Sequence, residues 1–335
     1  MDPHGLSSKP LRVLVSAKAL AAHGAQVRRV FGAQPCELVA AESVDEFPDA
    51  DLSFVTRDVT GASLKNRVEA STQRFYNQLR NSSKLRWVQM HSSGADRPIF
   101  IELQKRGVVL TTASGSNGPV VVQSALAGFL ALARHFPALM AAQRARQWKP
   151  LIVSGLPRDL QGQTAVIVGW GPIGRQLATH LKVLGLEVIV VRNQSTPAGE
   201  NFATATFAAL HELLPRADWV FLACPLTDKT RGLMDRRAFA AMPRGAHLIN
   251  VARGEVVIEV DLVQALQSGQ LGGAYLDVFA EEPLPPTSAL WAFDNVIVTP
   301  HSAGQSDGNN ARVVEIFLAN LAVWLAGKPL RNLVP

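Results

Sequence analysis

The 335-residue sequence is poor in cysteine, has no long apolar run and contains no block of like charge. Its two cysteines, Cys36 and Cys224, cannot build a disulfide framework and lack metal-site spacing, so no metal is expected and a reducing compartment, the cytoplasm, is. The longest nearly apolar stretch, 120–133, is interrupted by Gln123 and Ser124 and is too short to span a bilayer. The N-terminus has no basic segment followed by an apolar core, so neither a secretory signal nor membrane association is expected. The 33 basic residues exceed the 27 acidic ones by six, a balance that raises the question of nucleic acid. That excess is spread thinly, +4 over 1–118 and +2 over 119–335, and its longest basic runs are pairs such as Arg28-Arg29 and Arg236-Arg237. No basic stripe with interleaved aromatics and no helix-turn-helix pattern occurs, so nucleic acid is not an expected partner. Repeats of solenoid length are absent too.

What is present is alternation. The length suits about two domains, and 47% hydrophobic with 18% charged residues is an ordinary globular composition. Short runs rich in Val, Ile and Leu at 11–17, 36–40, 51–56, 85–90 and 108–112 are separated by segments of helical period such as 63–80 and 98–107. Six stronger runs follow at 164–169, 187–191, 219–223, 247–251, 273–278 and 295–299, with helices expected near Pro172, Phe207, Asp235 and Val260. Continuous apolar strands between amphipathic helices imply parallel sheets covered on both faces. Gly118-Pro119 opens a long apolar helix to about Arg134, which suits either a core or a subunit interface. A helical segment ending near Gly327 follows the last strand, and its economical place is back on the first domain. The fold expected is therefore α/β, two doubly wound parallel-sheet domains: a Rossmann dinucleotide-binding domain over 119–299, inserted into a discontinuous flavodoxin-like domain of 1–118 plus 300–335.

Gly169-Trp170-Gly171-Pro172-Ile173-Gly174 fits G-x-G-x-x-G between an expected strand and an expected helix. In that context Gly169 permits a tight turn, Gly171 lets the backbone approach a pyrophosphate, and Gly174 lets helix and strand pack closely. The residue at the tip of the next strand selects between dinucleotides. Here it is Arg192, followed by Asn193, Gln194 and Ser195, with no carboxylate between Val188 and Gly199. A cation with amide and hydroxyl donors suits a 2′-phosphate, so NADP(H) is the expected preference; the alternative is a solvent-facing Arg192 and less selective binding of NAD(H).

Three further segments end apolar strands: Asn250-Val251-Ala252-Arg253-Gly254, Leu276-Asp277-Val278-Phe279-Ala280-Glu281-Glu282-Pro283, and Thr299-Pro300-His301-Ser302-Ala303-Gly304. Strand carboxyl ends are where doubly wound sheets place ligands. With Cys224-Pro225-Leu226-Thr227 and Thr230, and with Glu282 29 residues after Arg253 and His301 19 after Glu282, the chain resembles the D-isomer-specific 2-hydroxyacid dehydrogenase family. That family includes glyoxylate/hydroxypyruvate reductases and phosphoglycerate dehydrogenases. The resemblance covers nearly all of 85–325, and 1–84 match only in strand-helix style.

The resemblance implies reduction of a small 2-keto acid, of glyoxylate or hydroxypyruvate type, to the D-2-hydroxy acid. Arg253 would grip the substrate carboxylate through its planar fork, His301 would exchange a proton with the C2 oxygen, and Glu282 would hydrogen-bond and orient His301. Glu282 is preferred to Glu281 because the family's acid directly precedes the proline. Ser93 and Gly94 lie where the family binds substrate carboxylate, although His91 and Ser92 before them depart from its common pattern, as does Gln123 farther on. Cys224, Pro225, Thr230, Val251, Ala252, Asp277, Ala303 and Gly304 are implied to border the cofactor alongside the glycine loop, Arg253 and His301, with Asp277 meeting the nicotinamide carboxamide or serving as a structural strand-end aspartate. A homodimer through the dinucleotide domain is expected. The alternative from another class is a dinucleotide-sensing regulator of this fold that binds protein partners with little turnover.

Overall fold

The computed structural model describes residues 9–43, 49–61, 63, 68–194, 196–199 and 202–334. It divides into two units, Met1–Ser116 with Ser306–Pro335, and Asn117–Gln305. The breaks thus fall at 116/117 and 305/306, whereas the sequence suggests 118/119 and 299/300. The second difference has a clear cause. Residues 301–303 are tied to the dinucleotide unit, because the amides of Ser302 and Ala303 donate to Asp277 and the Ser124 hydroxyl donates to the Ala303 carbonyl (2.9 Å).

In the first unit β1 (Leu11–Val15), β2 (Cys36–Ala40), β3 (Leu52–Val55), β4 (Trp87–Met90) and β5 (Val109–Thr111) form a sheet ordered β2-β1-β3-β4-β5, parallel throughout. This is the flavodoxin-like order. The expected helix over 63–80 is observed from Ala70 to Asn81; Ser63 is non-helical and 64–67 lie outside the described residues. The tail helix Asn309–Leu325 returns to this sheet. Phe317 stacks on Phe54 (4.2 Å between centroids) and Trp324 on Trp87 (6.1 Å), each aromatic pair worth about 0.5–1.5 kcal/mol beyond its buried area. Asn320, 1% exposed on the same helix, donates to Gln89 Oε1 (2.9 Å) and the Arg331 carbonyl (3.1 Å) and accepts from the Arg331 amide (3.0 Å). Its buried amide is therefore paired on both sides.

The second unit holds seven parallel strands: β6 (Thr164–Val168), β7 (Glu187–Arg192), β8 (Ala203–Thr206), β9 (Trp219–Leu222), β10 (Ala246–Asn250), β11 (Leu271–Leu276) and β12 (Val296–Val298). Their order is β12-β11-β10-β9-β6-β7-β8, a Rossmann sheet with one added strand. Six of these are legible in the sequence. β8 is not, because Ala-Thr-Ala-Thr is no apolar run; it is a half-exposed edge strand whose place is set by pairing with β7, from Ile189↔Ala203 to Arg192↔Thr206. The helix Gly118–Ala133 belongs to this unit's core through Val121, Val122, Ala125, Phe129 and Leu132. A Cβ on Gly128 would overlap the Tyr275 ring, so this glycine lets the helix lie against β11. No single helix among the described residues is long and apolar enough to cross a membrane.

Two half-buried histidines, one in each unit, give the fold a pH dependence. Burial pushes His247, stacked on Trp219 (4.3 Å), down to about 4, with His135 and Arg158 adding to the shift and Asp218 opposing it. Burial, then Arg57 and Arg97, push His91 down to about 4 against Asp58. Between about 6.5 and 4 the unfolded chain takes up protons that the folded chain refuses. Stability should therefore be full above pH 6.5 and fall as pH drops toward 4, by at most about 3 kcal/mol per histidine. Thermal melts across that range check this: His247→Phe, which keeps the stack, should flatten the fall, and an unchanged profile would sink the assignment.

Candidate active site

The glycine loop follows β6 and opens the helix Pro172–Val183, with Gly171 at its N-cap and Pro172 in its first turn. Gly169 has φ +115°, and a Cβ there would press on the Ala223 carbonyl (2.6 Å) and the Cys224 nitrogen (2.7 Å). A Cβ on Gly174 would strike the Gly169 carbonyl, so the loop is closed on itself. A Cβ on Gly171 would meet nothing within 4 Å. The first helical bond runs from the Arg175 amide to the Gly171 carbonyl (3.0 Å), which leaves the Ile173 and Gly174 amides aimed beyond the helix end. An open cradle bordered by unpaired amides at a helix N-terminus fits a pyrophosphate.

Trp170 lies within that loop, and Arg192, Cys224 and Thr230 stand at or beyond the carboxyl ends of β7 and β9, the strands on either side of β6. Trp170 packs edge-on against Phe202 (5.4 Å) and under Arg175 (5.8 Å). Arg192 ends β7 and reaches the Thr196 carbonyl at 3.5 Å, while Ser195 lies outside the described residues. Cys224 is buried, its thiol pushed up to about 12 by burial, so it is inert packing beside the loop. Thr230, fully buried, donates to the Pro225 carbonyl (2.7 Å) and accepts from the Thr227 amide (2.8 Å), which folds Pro225–Thr230 into a fixed turn. A Cβ on Gly304 would crowd the Asn117 side chain.

Arg253, Glu282 and His301 come from the carboxyl ends of β10, β11 and β12, which are neighbours in the sheet. After β10, Asn250 accepts from the Ala252 amide (3.0 Å) and donates to the Arg253 carbonyl (3.2 Å), shaping the turn on which Val251 and Ala252 are buried. The Arg253 guanidinium donates to the Ala252 carbonyl (2.7 Å). Gly254 then lies so close to the Phe279–Ala280 backbone that a Cβ would overlap it. The Phe279 amide in turn donates to Glu282 Oε1 (3.1 Å), and Glu282 Oε2 lies 2.8 Å from His301 Nδ1. A carboxylate only accepts, so Nδ1 carries the hydrogen of that bond and Nε2 is the nitrogen left for chemistry. Glu282, and not Glu281, makes this contact.

His301 has φ +50°, a left-handed conformation rare for residues with side chains. Its amide donates to the Asp277 carbonyl (2.8 Å) and the Thr299 carbonyl (3.0 Å). Asp277, 3% exposed, holds the rest of the turn: its carboxylate accepts from Thr299 Oγ1 (2.6 Å), the Ser302 amide (2.8 Å) and the Ala303 amide (2.9 Å). Burial pushes its carboxyl up, and these hydrogen bonds pull it back. The structural role weighed for Asp277 is thus present. Thr299 Oγ1 also lies 3.0 Å from the Tyr275 hydroxyl, so Tyr275 backs the same contact. Asn250, Gly254 and Thr299 stand in the three strand-end segments without an assigned role, and Tyr275 just outside them, because they act on backbone and neighbours instead of on a ligand.

Ser93 and Gly94 lie in the other unit, on the turn after β4, where the Ser92 hydroxyl donates to the Gly94 carbonyl (2.7 Å). In the dinucleotide unit a cavity of about 470 Å³ opens at the opposite, amino-terminal edge of the sheet, among Gln163, Trp219, His247 and Asn295. Neither the glycine loop nor the Arg253–His301 set borders it. Among the described residues no three His, Cys, Asp or Glu side chains gather as a metal site.

A sequence model of the D-isomer specific 2-hydroxyacid dehydrogenase NAD binding domain matches residues 126–303. The chain belongs to the D-isomer specific 2-hydroxyacid dehydrogenase family. A glyoxylate reductase of Pyrococcus horikoshii is 34% identical over 253 residues, which are 74% of this chain and 75% of that protein. A family member from Aeromonas salmonicida superposes with a TM-score of 0.78 at 26% identity, covering 98% and 99% of the two chains. The NADPH-dependent glyoxylate/hydroxypyruvate reductase of Sinorhizobium meliloti, solved with NADP and sulfate, gives a TM-score of 0.75 at 26% identity, covering 97% and 98%. This dehydrogenase is an NAD(P)-dependent oxidoreductase, and the comparisons support reduction of a 2-keto acid. The regulator alternative is not favoured by them.

Proposed function

We propose that this dehydrogenase reduces a small 2-keto acid, with glyoxylate and hydroxypyruvate the leading substrates, to the D-2-hydroxy acid, and that it prefers NADP(H) while also accepting NAD(H). The observation that carries the reading is the His301–Glu282 pair at 2.8 Å, joined through Phe279–Ala280 to the Arg253 turn at one sheet edge. When bound, the dinucleotide would supply the hydride. The glycine loop and Pro225–Thr230 would hold it, Arg192 would meet a 2′-phosphate, and Asp277 Oδ2, which has one protein donor at 3.1 Å, would have capacity for a carboxamide. Arg253 would pair with the substrate carboxylate and so fix the C2 carbonyl. His301 would give its Nε2 proton to the C2 oxygen and recover one from solvent, held in place by Glu282 throughout.

The test is oxidation of NADPH and NADH, followed separately, with a panel of glyoxylate, hydroxypyruvate, pyruvate and phosphorylated keto acids. Turnover of the first two with a higher kcat/KM for NADPH is expected. Cofactor binding without turnover of any acid would refute the enzymatic reading, and equal kcat/KM for the two cofactors would refute the preference.

A homodimer through the dinucleotide unit is part of the same proposal. Segment 136–156 exposes Phe136, Met140, Trp148, Ile152, Val153 and Leu156, with Trp148 95% exposed, an apolar strip that suits a second copy of the chain. A sedimentation mass of one chain at micromolar concentration would overturn it.

A further inference from the structure

The turn after β9 carries a cation that the glycine loop and Arg192 do not account for. Lys229 lies on the turn fixed by Thr230, and its Nζ donates to Asn193 Oδ1 at 3.1 Å. The two residues are 36 positions apart and come from different strands, β9 and β7, which flank β6 in the sheet. Their carboxyl ends therefore stand on either side of the Gly169 loop, and the Lys229–Asn193 bond joins them. Asn193 directly follows Arg192. By giving its oxygen to Lys229, the planar Asn193 amide turns its two Nδ2 hydrogens toward another acceptor.

The charge at this rim is positive. Residues 188–199 contain no carboxylate, and 225–231 contain one, Asp228. Among the described residues neither Lys229 nor Arg192 makes an ion pair; each spends one hydrogen on a neutral oxygen, with Arg192 at the long distance of 3.5 Å. A bare ribose hydroxyl is met best by a carboxylate, and 188–199 contain none, whereas a phosphate dianion is matched by two cations and an amide donor from the ends of two strands.

We propose that Lys229 is a second specificity-determining residue, which binds the 2′-phosphate of NADP(H) together with Arg192 while Asn193 bridges the two. This inference rests on the NADP(H) preference proposed above. It adds that selectivity is shared between β7 and the turn after β9, so that Arg192 alone does not set it.

Calorimetric titration of the full chain with 2′,5′-ADP and 5′-ADP separates the two ideas. Lys229→Met should weaken 2′,5′-ADP about five- to tenfold and leave 5′-ADP unchanged, with the difference shrinking at high salt. Equal loss for both probes would reduce Lys229 to a structural tie and overturn the proposal, as would no loss for either. Arg192→Met reports on the underlying reading: if it lowers 2′,5′-ADP affinity while Lys229→Met does not, the preference stands and the role of Lys229 falls. If the unaltered protein binds 2′,5′-ADP no more tightly than 5′-ADP, both fall.

Discussion

Replacing His301 by alanine should lower kcat for keto-acid reduction by about 10²–10⁴-fold and leave dinucleotide affinity near that of the unaltered protein. The size follows from losing a positioned proton donor, because the developing alkoxide at C2 must then take its proton from water. The selectivity follows from where His301 sits: its ring is oriented by Glu282, while the glycine loop is built from β6 and the helix behind it. The left-handed backbone of His301 requires a control, since alanine also adds strain to the turn. His301→Asn supplies it. Asparagine tolerates φ near +50° but cannot give the same proton, so it should lose activity as alanine does while melting near the unaltered protein. Steady-state kinetics with fluorescence titration of NADPH measure both effects. A His301→Asn protein that kept most of its kcat would show that the residue shapes the turn and does not donate the proton.

Gly254→Ala should be nearly as damaging to catalysis although glycine has no chemistry of its own. Its missing Cβ is where the Phe279–Ala280 backbone passes, and backbone cannot swing aside as a side chain can. An added methyl must push the Arg253 turn and the Phe279–Glu282 segment apart, misplacing the carboxylate clamp and the support of His301 together. A displacement of about 1 Å can cost about 10²-fold, so kcat/KM for the keto acid should fall by roughly that factor or more. Overpacking should also cost about 1–3 kcal/mol of stability. The fall should be larger for kcat/KM of the keto acid than for dinucleotide binding, because the glycine loop lies two strands away, beyond β9. Unchanged kcat/KM with a lowered melting temperature would show that the close approach serves stability alone.

The two variants bear on different parts of the site, and their difference is informative about legibility. His301, Glu282 and Arg253 stand in the sequence at strand ends, in an order and spacing that a resemblance could pick out. Gly254 stands beside Arg253 in the same segment, yet nothing local says that it must be glycine. Its backbone is not in the left-handed region, so no turn rule flags it, and its constraint comes from a segment 25 residues away that only folding brings near. Asp277 shows the same division. A carboxylate at a strand end is visible in sequence, but that it gathers the amides of Ser302 and Ala303 and the Thr299 hydroxyl is decided by β11 lying beside β12.

The sequence by itself determined the alternation of apolar runs and helices, hence two parallel-sheet α/β units, and the G-x-G-x-x-G turn that offers amides to an anion. These are local properties: an apolar run buries on both faces wherever it lands, and a tight turn needs glycine whatever surrounds it. Tertiary structure alone decided where edge strand β8 pairs, that residues 301–305 stay with the dinucleotide unit, and that Lys229 meets Asn193. Each depends on which strand lies beside which, a long-range outcome of packing that no single segment encodes.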